Sequence, residues 1–266
     1  MYSTDPHTIV STLAHTVKPV MNEAGSLLLF YFNTTLNVRE KKKHGLVTQA
    51  DIEAELFLIE ELGKIIPHAS FFAEESGRSG LSTSEYCWVI DPLDGTTNFI
   101  HRLPYFCISV ALTHNDVPIW GGIYVPITQE FFYAYQDGPA YCNGRQIVIS
   151  DQHVLEKSVI VVGLPYVKDE YFTNMLDNIR RIAPKTYAFR HLGAAALDTA
   201  YVASGRLDGM FFTNLSWWDI AAGLLIIKQA GGIVTDFQGN FIDKDYQSFV
   251  AAGPETHKQL LVLLQG

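Results

Sequence analysis

The densest chemistry in the chain lies in Trp88-Val89-Ile90-Asp91-Pro92-Leu93-Asp94-Gly95-Thr96-Thr97-Asn98. An apolar run delivers Asp91 at the end of a strand, Pro92 restrains the next turn, and Asp94 to Thr97 reads as a loop entering a helix. Two carboxylates three positions apart can then converge, and the Leu93 carbonyl between them offers a third hard oxygen. Such oxygen sets favour Mg²⁺, Mn²⁺ or Ca²⁺ over zinc. The amides of Gly95 and Thr96 at a helix start suit a phosphate oxygen. Taken alone, an Asp-Gly pair reads as an ordinary turn with Asp94 capping a helix.

Two further segments bear acids after or before apolar runs. Phe71-Phe72-Ala73 ends in Glu74-Glu75-Ser76-Gly77, and if this strand neighbours the first, their exits bring four carboxylates to one edge. By themselves paired glutamates are solvated residues. In Ser216-Trp217-Trp218-Asp219-Ile220-Ala221-Ala222-Gly223, Asp219 opens an apolar helix, where an isolated Asp reads as a helix cap.

Together these segments resemble the inositol monophosphatase family of metal-dependent phosphatases. Asp91 to Thr97 matches its Asp-Pro-Ile/Leu-Asp-Gly-Thr-Thr motif, Ala73 to Ser76 its Gly/Ala-Glu-Glu-Ser segment, and Trp218 to Gly223 its Trp-Asp-x-Ala-Ala/Gly-Gly segment. The resemblance runs from the first helix to the last and implies one phosphatase domain over residues 1–266. The implied fold is a layered α/β, αβαβα five-layer sandwich of the inositol monophosphatase and fructose-1,6-bisphosphatase type. It also implies a lithium-sensitive homodimer acting on a small phosphate monoester such as inositol 1-phosphate, with two or three Mg²⁺ ions.

Carried over residue by residue, the resemblance assigns Glu74, Asp91 and the Leu93 carbonyl to one Mg²⁺ and Asp91, Asp94 and Asp219 to a second. Glu74 would also face a weaker third ion, and Glu75 would be a supporting carboxylate. Asp51, in Leu46-Val47-Thr48-Gln49-Ala50-Asp51, would pair with Thr96, and together with Glu74 this pair would orient the attacking water. The amides of Gly95 and Thr96 would support phosphate oxygens. Without the resemblance, Asp51 reads as a first-turn acid favoured by the helix dipole.

Gly193, Ala194 and Ala195 fall where family members contact the leaving alcohol, with Ala194 replacing a common Ser or Thr. Phe212 stands where the glutamate that binds inositol is expected; it reads equally as a core strand residue. Loss of that carboxylate should weaken or redirect polyol recognition. A nucleotide 3′-phosphate, a fructose bisphosphate or histidinol phosphate is the alternative substrate, and a catalytically silent metal-binding regulatory protein is the alternative from another class. Arg39 and Lys41 to Lys43 form the one basic cluster, read as a solvated loop or as a flap attracting an anion.

The elements positioning these residues follow from periodicity. Asp5 and Pro6 announce a first helix that Pro19 should kink or split, and Thr48 with Asp51 opens a second that places Ile52, Leu56, Ile59 and Leu62 on one face. From residue 70 short β runs follow, at Phe71 to Ala73, Cys87 to Ile90, Cys107 to Thr113, Ile119 to Val125 and Phe131 to Tyr135. Beyond residue 154 strands and helices alternate, which suggests layered sheets with helices between and outside them.

Composition bounds the rest. With 28 Asp+Glu against 19 Lys+Arg, the net charge of −9 excludes a basic nucleic-acid surface. Cys87, Cys107 and Cys142 form no Cys-x-x-Cys pair, against a disulfide framework or zinc site. Neither a secretory signal nor a membrane-length apolar run is visible, so no membrane partner and a cytoplasmic location are expected.

Overall fold

The computed structural model describes residues 6–34, 38–40 and 46–266. Helix α1 (Pro6–Phe32) runs unbroken through Pro19, which lies on its exposed side, so the expected split does not occur. Asp5 lies outside the described residues. A short pair, β1 (Val38–Glu40) and β2 (Leu46–Thr48), leads into α2 (Gln49–Ile65). The Thr48 hydroxyl accepts from the Ala50 amide at 3.1 Å, and the Thr48 amide donates to Asp51 at 2.8 Å. Helix α2 buries Ala50, Ala54, Leu58 and Leu62 together with Asp51 and Glu55. The expected face is corrected here: Leu56 is exposed, because the stripe meeting α1 and the sheet is set by small Ala50 and Ala54.

An eight-stranded sheet follows: β3 (Ser70–Ala73), β4 (Gly77–Ser79), β5 (Tyr86–Asp94), then, after the five-residue α3 (Thr96–Ile100), β6 (Cys107–His114), β7 (Val117–Val125), β8 (Glu130–Tyr135), β9 (Tyr141–Cys142) and β10 (Arg145–Gln146). Its order is β10-β9-β8-β7-β6-β5-β3-β4, antiparallel except for the β3–β5 pair. Asn143 and Gly144, both at positive φ, make the two-residue turn between β9 and β10.

The rest alternates: β11 (Val159–Val162), α4 (Glu170–Ile182), β12 (Ala188–Arg190), α5 (Ala195–Ala203), β13 (Gly209–Thr213), α6 (Trp217–Gln229), β14 (Ile233–Thr235), β15 (Ser248–Ala252) and α7 (Pro254–Gln265). These strands form a five-stranded sheet, β12-β11-β13-β15-β14, parallel around β11 and antiparallel around β15.

Alternating side chains define five layers. Trp88 and Ile90 of β5 pack with α1 and α2, whereas Cys87 and Val89 face α5 and α6. Met210 and Phe212 of β13 face the same α5–α6 layer from the other side, and Phe211 turns outward to α4 and α7. The order is helix pair, sheet, helix pair, sheet, helix pair, the αβαβα sandwich. Burial on both faces explains why these strands are apolar throughout. The three cysteines are free, and among the described residues no helix is long and apolar enough to cross a membrane.

Candidate active site

Strands β3 and β5 are parallel neighbours in register Ala73↔Ile90, so both leave the sheet at one edge. The Glu74 amide extends the pairing by donating to Ile90 O at 3.1 Å. Asp91 does not end its strand; β5 continues to Asp94 through an irregularity. Asp91 pairs with Ser109 and Asp94 with Cys107, so Pro92 and Leu93 oppose Ile108 alone. Pro92 has no N–H to lose there, and the Leu93 amide turns to Asp91 Oδ1 at 3.0 Å.

The bulge brings Asp91 and Asp94 together on one side, and α6 adds Asp219. One carboxylate oxygen from each of the three lies within 4.8 Å of the others. Asp219 is held at the first turn of α6 by the Ser216 amide, 2.6 Å from its Oδ2. Asp94 is held by the first turn of α5: Ala195 N reaches Oδ1 at 3.1 Å, and Ala196 N and Leu197 N reach Oδ2 at 2.8 and 3.2 Å. Cys107 Sγ also donates to Oδ2 at 3.5 Å.

Burial, then the neighbouring Glu74, Asp94 and Asp219, push the Asp91 carboxyl well above the usual carboxylate range. Burial likewise pushes Asp94 up to about 6, against the opposing N–H donors of Leu197 and Ala196. The cluster lines a cavity of about 630 Å³ whose described lining includes no Lys or Arg. A hard-oxygen set without a protein cation to balance it suits a divalent ion.

Beside this cluster, Thr96 Oγ1 lies 3.1 Å from both Asp51 Oδ1 and Leu93 O. Asp51 is fully buried behind it, and its Oδ2 is held by the Thr48 hydroxyl at 2.6 Å. Gly95 sits at φ 93, and a Cβ there would come within 3.0 Å of Tyr105 O.

Gly193, Ala194, Ala195 and Phe212 all line the same cavity. Phe212 is only 4% exposed, and a Cβ on Gly163 would come within 2.1 Å of its ring, so it is mainly a packed core residue that also closes one wall. Glu75 does not line the cavity; its amide and that of Ser76 donate to Glu55 at 2.8 Å each. Arg39 lies on β1, and Lys41 to Lys43 fall outside the described residues.

Several site residues escaped the sequence reading. Glu55 follows Asp51 by one helical turn, a spacing that could have flagged it. Asn98 Nδ2 donates to Tyr105 O and Leu192 O at 2.8 Å each, tying the Gly95 turn to the Gly193 loop. The 163–167 segment after β11 also lines the cavity, with the Tyr166 hydroxyl 3.3 Å from Thr97 Oγ1. His191 Nδ1 lies 3.0 Å from Val162 O; a carbonyl only accepts, so Nδ1 carries the proton. No spacing in the chain announces the contacts of Asn98 with Leu192, Tyr166 with Thr97 and His191 with Val162, which join segments distant in sequence.

The model of the inositol monophosphatase family matches residues 10–265. An inositol-1-monophosphatase of Mesorhizobium japonicum is 40% identical over 226 residues, 85% of each chain. A protein named Putative Nus factor SuhB, from Neisseria meningitidis serogroup B, is 40% identical over 218 residues, 82% of this chain and 84% of that one. The crystal structure of the extragenic suppressor protein suhB from Bartonella henselae superposes with a TM-score of 0.91 at 34% identity, covering 96% of this chain and 98% of that chain. The inositol monophosphatase of Anabaena gives 0.85 at 34% identity over 96% of each. On both sequence and fold, the chain belongs to the inositol monophosphatase family.

Proposed function

We propose that the protein is a Mg²⁺-dependent phosphomonoesterase, working as one domain, that hydrolyses a small phosphate monoester by direct attack of water. The observation that carries this reading is the convergence of Asp91, Asp94 and Asp219 within 4.8 Å, in the cavity that the Thr96 hydroxyl also lines. Glu74, Asp91, the Leu93 carbonyl, Asp94 and Asp219 would hold two or three ions. Bound Mg²⁺ would supply charge neutralisation at the phosphate and a lowered pKa for the attacking water.

The chain's own groups do the rest. Thr96 Oγ1 carries one hydrogen and has two acceptors at equal distance. Donating to Asp51 Oδ1 leaves its lone pairs to accept from the water, so buried Asp51 sets the direction of the proton relay. Glu74 takes the second position on that water. The amides of Gly95 and Thr96 steady the phosphate oxygens.

Gly193, Ala194, Ala195 and Phe212 would face the leaving alcohol. Phe212 is occupied by packing and offers no acceptor to inositol hydroxyls, which speaks against inositol 1-phosphate as the preferred substrate and leaves a nucleotide 3′-phosphate, a fructose bisphosphate or histidinol phosphate as the alternatives. The name Nus factor SuhB belongs to the relatives that bear it, and the complete carboxylate set with Asp51 and Thr96 speaks for turnover here. Phosphate release from these four monoesters tests both points. Turnover on at least one, with inositol 1-phosphate not preferred, is expected; no turnover on any contradicts the enzyme reading, and a clear preference for inositol 1-phosphate contradicts the specificity.

A further inference from the structure

We propose that Glu55 is a positioning residue for the cation site, clamping the turn after β3 so that Glu74 stays beside Asp91 without help from a bound ion. The inference rests on the metal-dependent reading above and adds a residue outside the cavity to it.

The geometry is specific. Glu55 is 2% exposed on α2 and makes a two-pronged contact across 20 residues of sequence: Oε2 accepts from Glu75 N and Oε1 from Ser76 N, each at 2.8 Å. These are the two amides immediately after Glu74. On its other side Glu74 is fixed by its own amide bond to Ile90 O at 3.1 Å. The turn is therefore pinned from the sheet before Glu74 and from the helix after it.

Such a clamp answers a physical problem. Glu74, Asp91, Asp94 and Asp219 carry like charges into one small site, and repulsion would drive the most mobile of them outward. Asp91, Asp94 and Asp219 are held by the β5 bulge, the α5 amides and the α6 cap; Glu74 stands on a short turn at the sheet edge. The same α2 face that aims Asp51 at Thr96 aims Glu55, four residues on, at this turn. One helix thus fixes the proton-relay side and the cation side together.

The chemistry requires a carboxylate. Two N–H donors need two acceptors, and a glutamine offers one oxygen and an NH₂ that would face an N–H. Loss of such outer support costs about 10–100-fold in metal affinity. The test is calorimetric titration of Mg²⁺ into the full native chain and into Glu55→Gln, with circular dichroism to check the fold. A rise of about 10-fold or more in Kd is expected. The Mg²⁺ needed for half-maximal turnover should rise in proportion, while KM for substrate at saturating Mg²⁺ stays within about twofold, a split that general loosening would not give. Native-like Mg²⁺ affinity in Glu55→Gln overturns the inference alone; a native chain that binds no Mg²⁺ overturns the cation reading and this inference with it. Should Glu55→Gln not fold, hydrogen exchange on the metal-free native protein decides: protected Glu75 and Ser76 amides support the clamp, and amides protected only after Mg²⁺ addition refute it.

Discussion

Asp91 sets stability against the proposed function. It is 1% exposed among other acids, a placement that costs folding energy unless a cation or a proton neutralises it. Replacing Asp91 with Asn should therefore do two opposite things. Phosphate release should fall by about 10³-fold, roughly 4 kcal/mol of transition-state stabilisation, because the proposed cation site loses a ligand. The metal-free protein should melt higher, by about 2–4 °C for each kcal/mol of repulsion removed. Steady-state kinetics with a thermal scan measures both, and a variant that is active and no more stable than native would show that Asp91 is not a ligand. The convergence of Asp91 and Asp94 was legible from their types and spacing in the chain. Glu55 was legible only as an acid one helical turn after Asp51; its bonds to the Glu75 and Ser76 amides exist only once α2 and the turn after β3 meet.

Elements position these residues by breaking their own regularity. The β5 irregularity turns Asp91 and Asp94 to one side, and the left-handed Gly95 turn then starts α3 so that Thr96 faces Asp51. At Gly95 any side chain meets two obstacles: φ is 93, and a Cβ would approach Tyr105 O to 3.0 Å and Ala194 Cβ to 3.1 Å. Gly95→Ala should cost about 1–3 kcal/mol in denaturant unfolding and lower turnover with it. An alanine variant of native stability and rate would remove the turn from the account. Most strands and helices could be placed from apolar periodicity and turn residues. The faces were less legible: α2 packs through Ala50 and Ala54, which carry little hydrophobic signal, and its exposed Leu56 carries much. Pro19 did not split α1; on the solvent side, the carbonyl that its ring leaves without an N–H partner can turn to water.

In the whole molecule the two sheets and the α5–α6 layer between them assemble the site, with acids from β5, α6 and the turn after β3 converging on one cavity. Periodicity could not arrange these layers, because strands buried on both faces show none; the family resemblance implied the order, and the alternating contacts of β5 and β13 display it. The acid site also sets a pH dependence. Asp94 holds its proton in the folded state up to about 6, against 3.8 for an ordinary Asp. Its contribution to metal-free stability is present below pH 3.8 and is lost as pH rises to about 6. At the proposed site Mg²⁺ would compete with that proton, so the rise in Tm on adding Mg²⁺ should be small at low pH, grow through pH 6 and level above it. Thermal scans with and without Mg²⁺ across that range check it, and a shift independent of pH would place the ion elsewhere. Dependence on the cation is measured by phosphate release from a turned-over monoester as Mg²⁺ is titrated into the chelator-stripped native protein. Release should be negligible without the ion and saturable with it; release that persists in chelator, or that Mg²⁺ fails to restore, would contradict a Mg²⁺-dependent reaction.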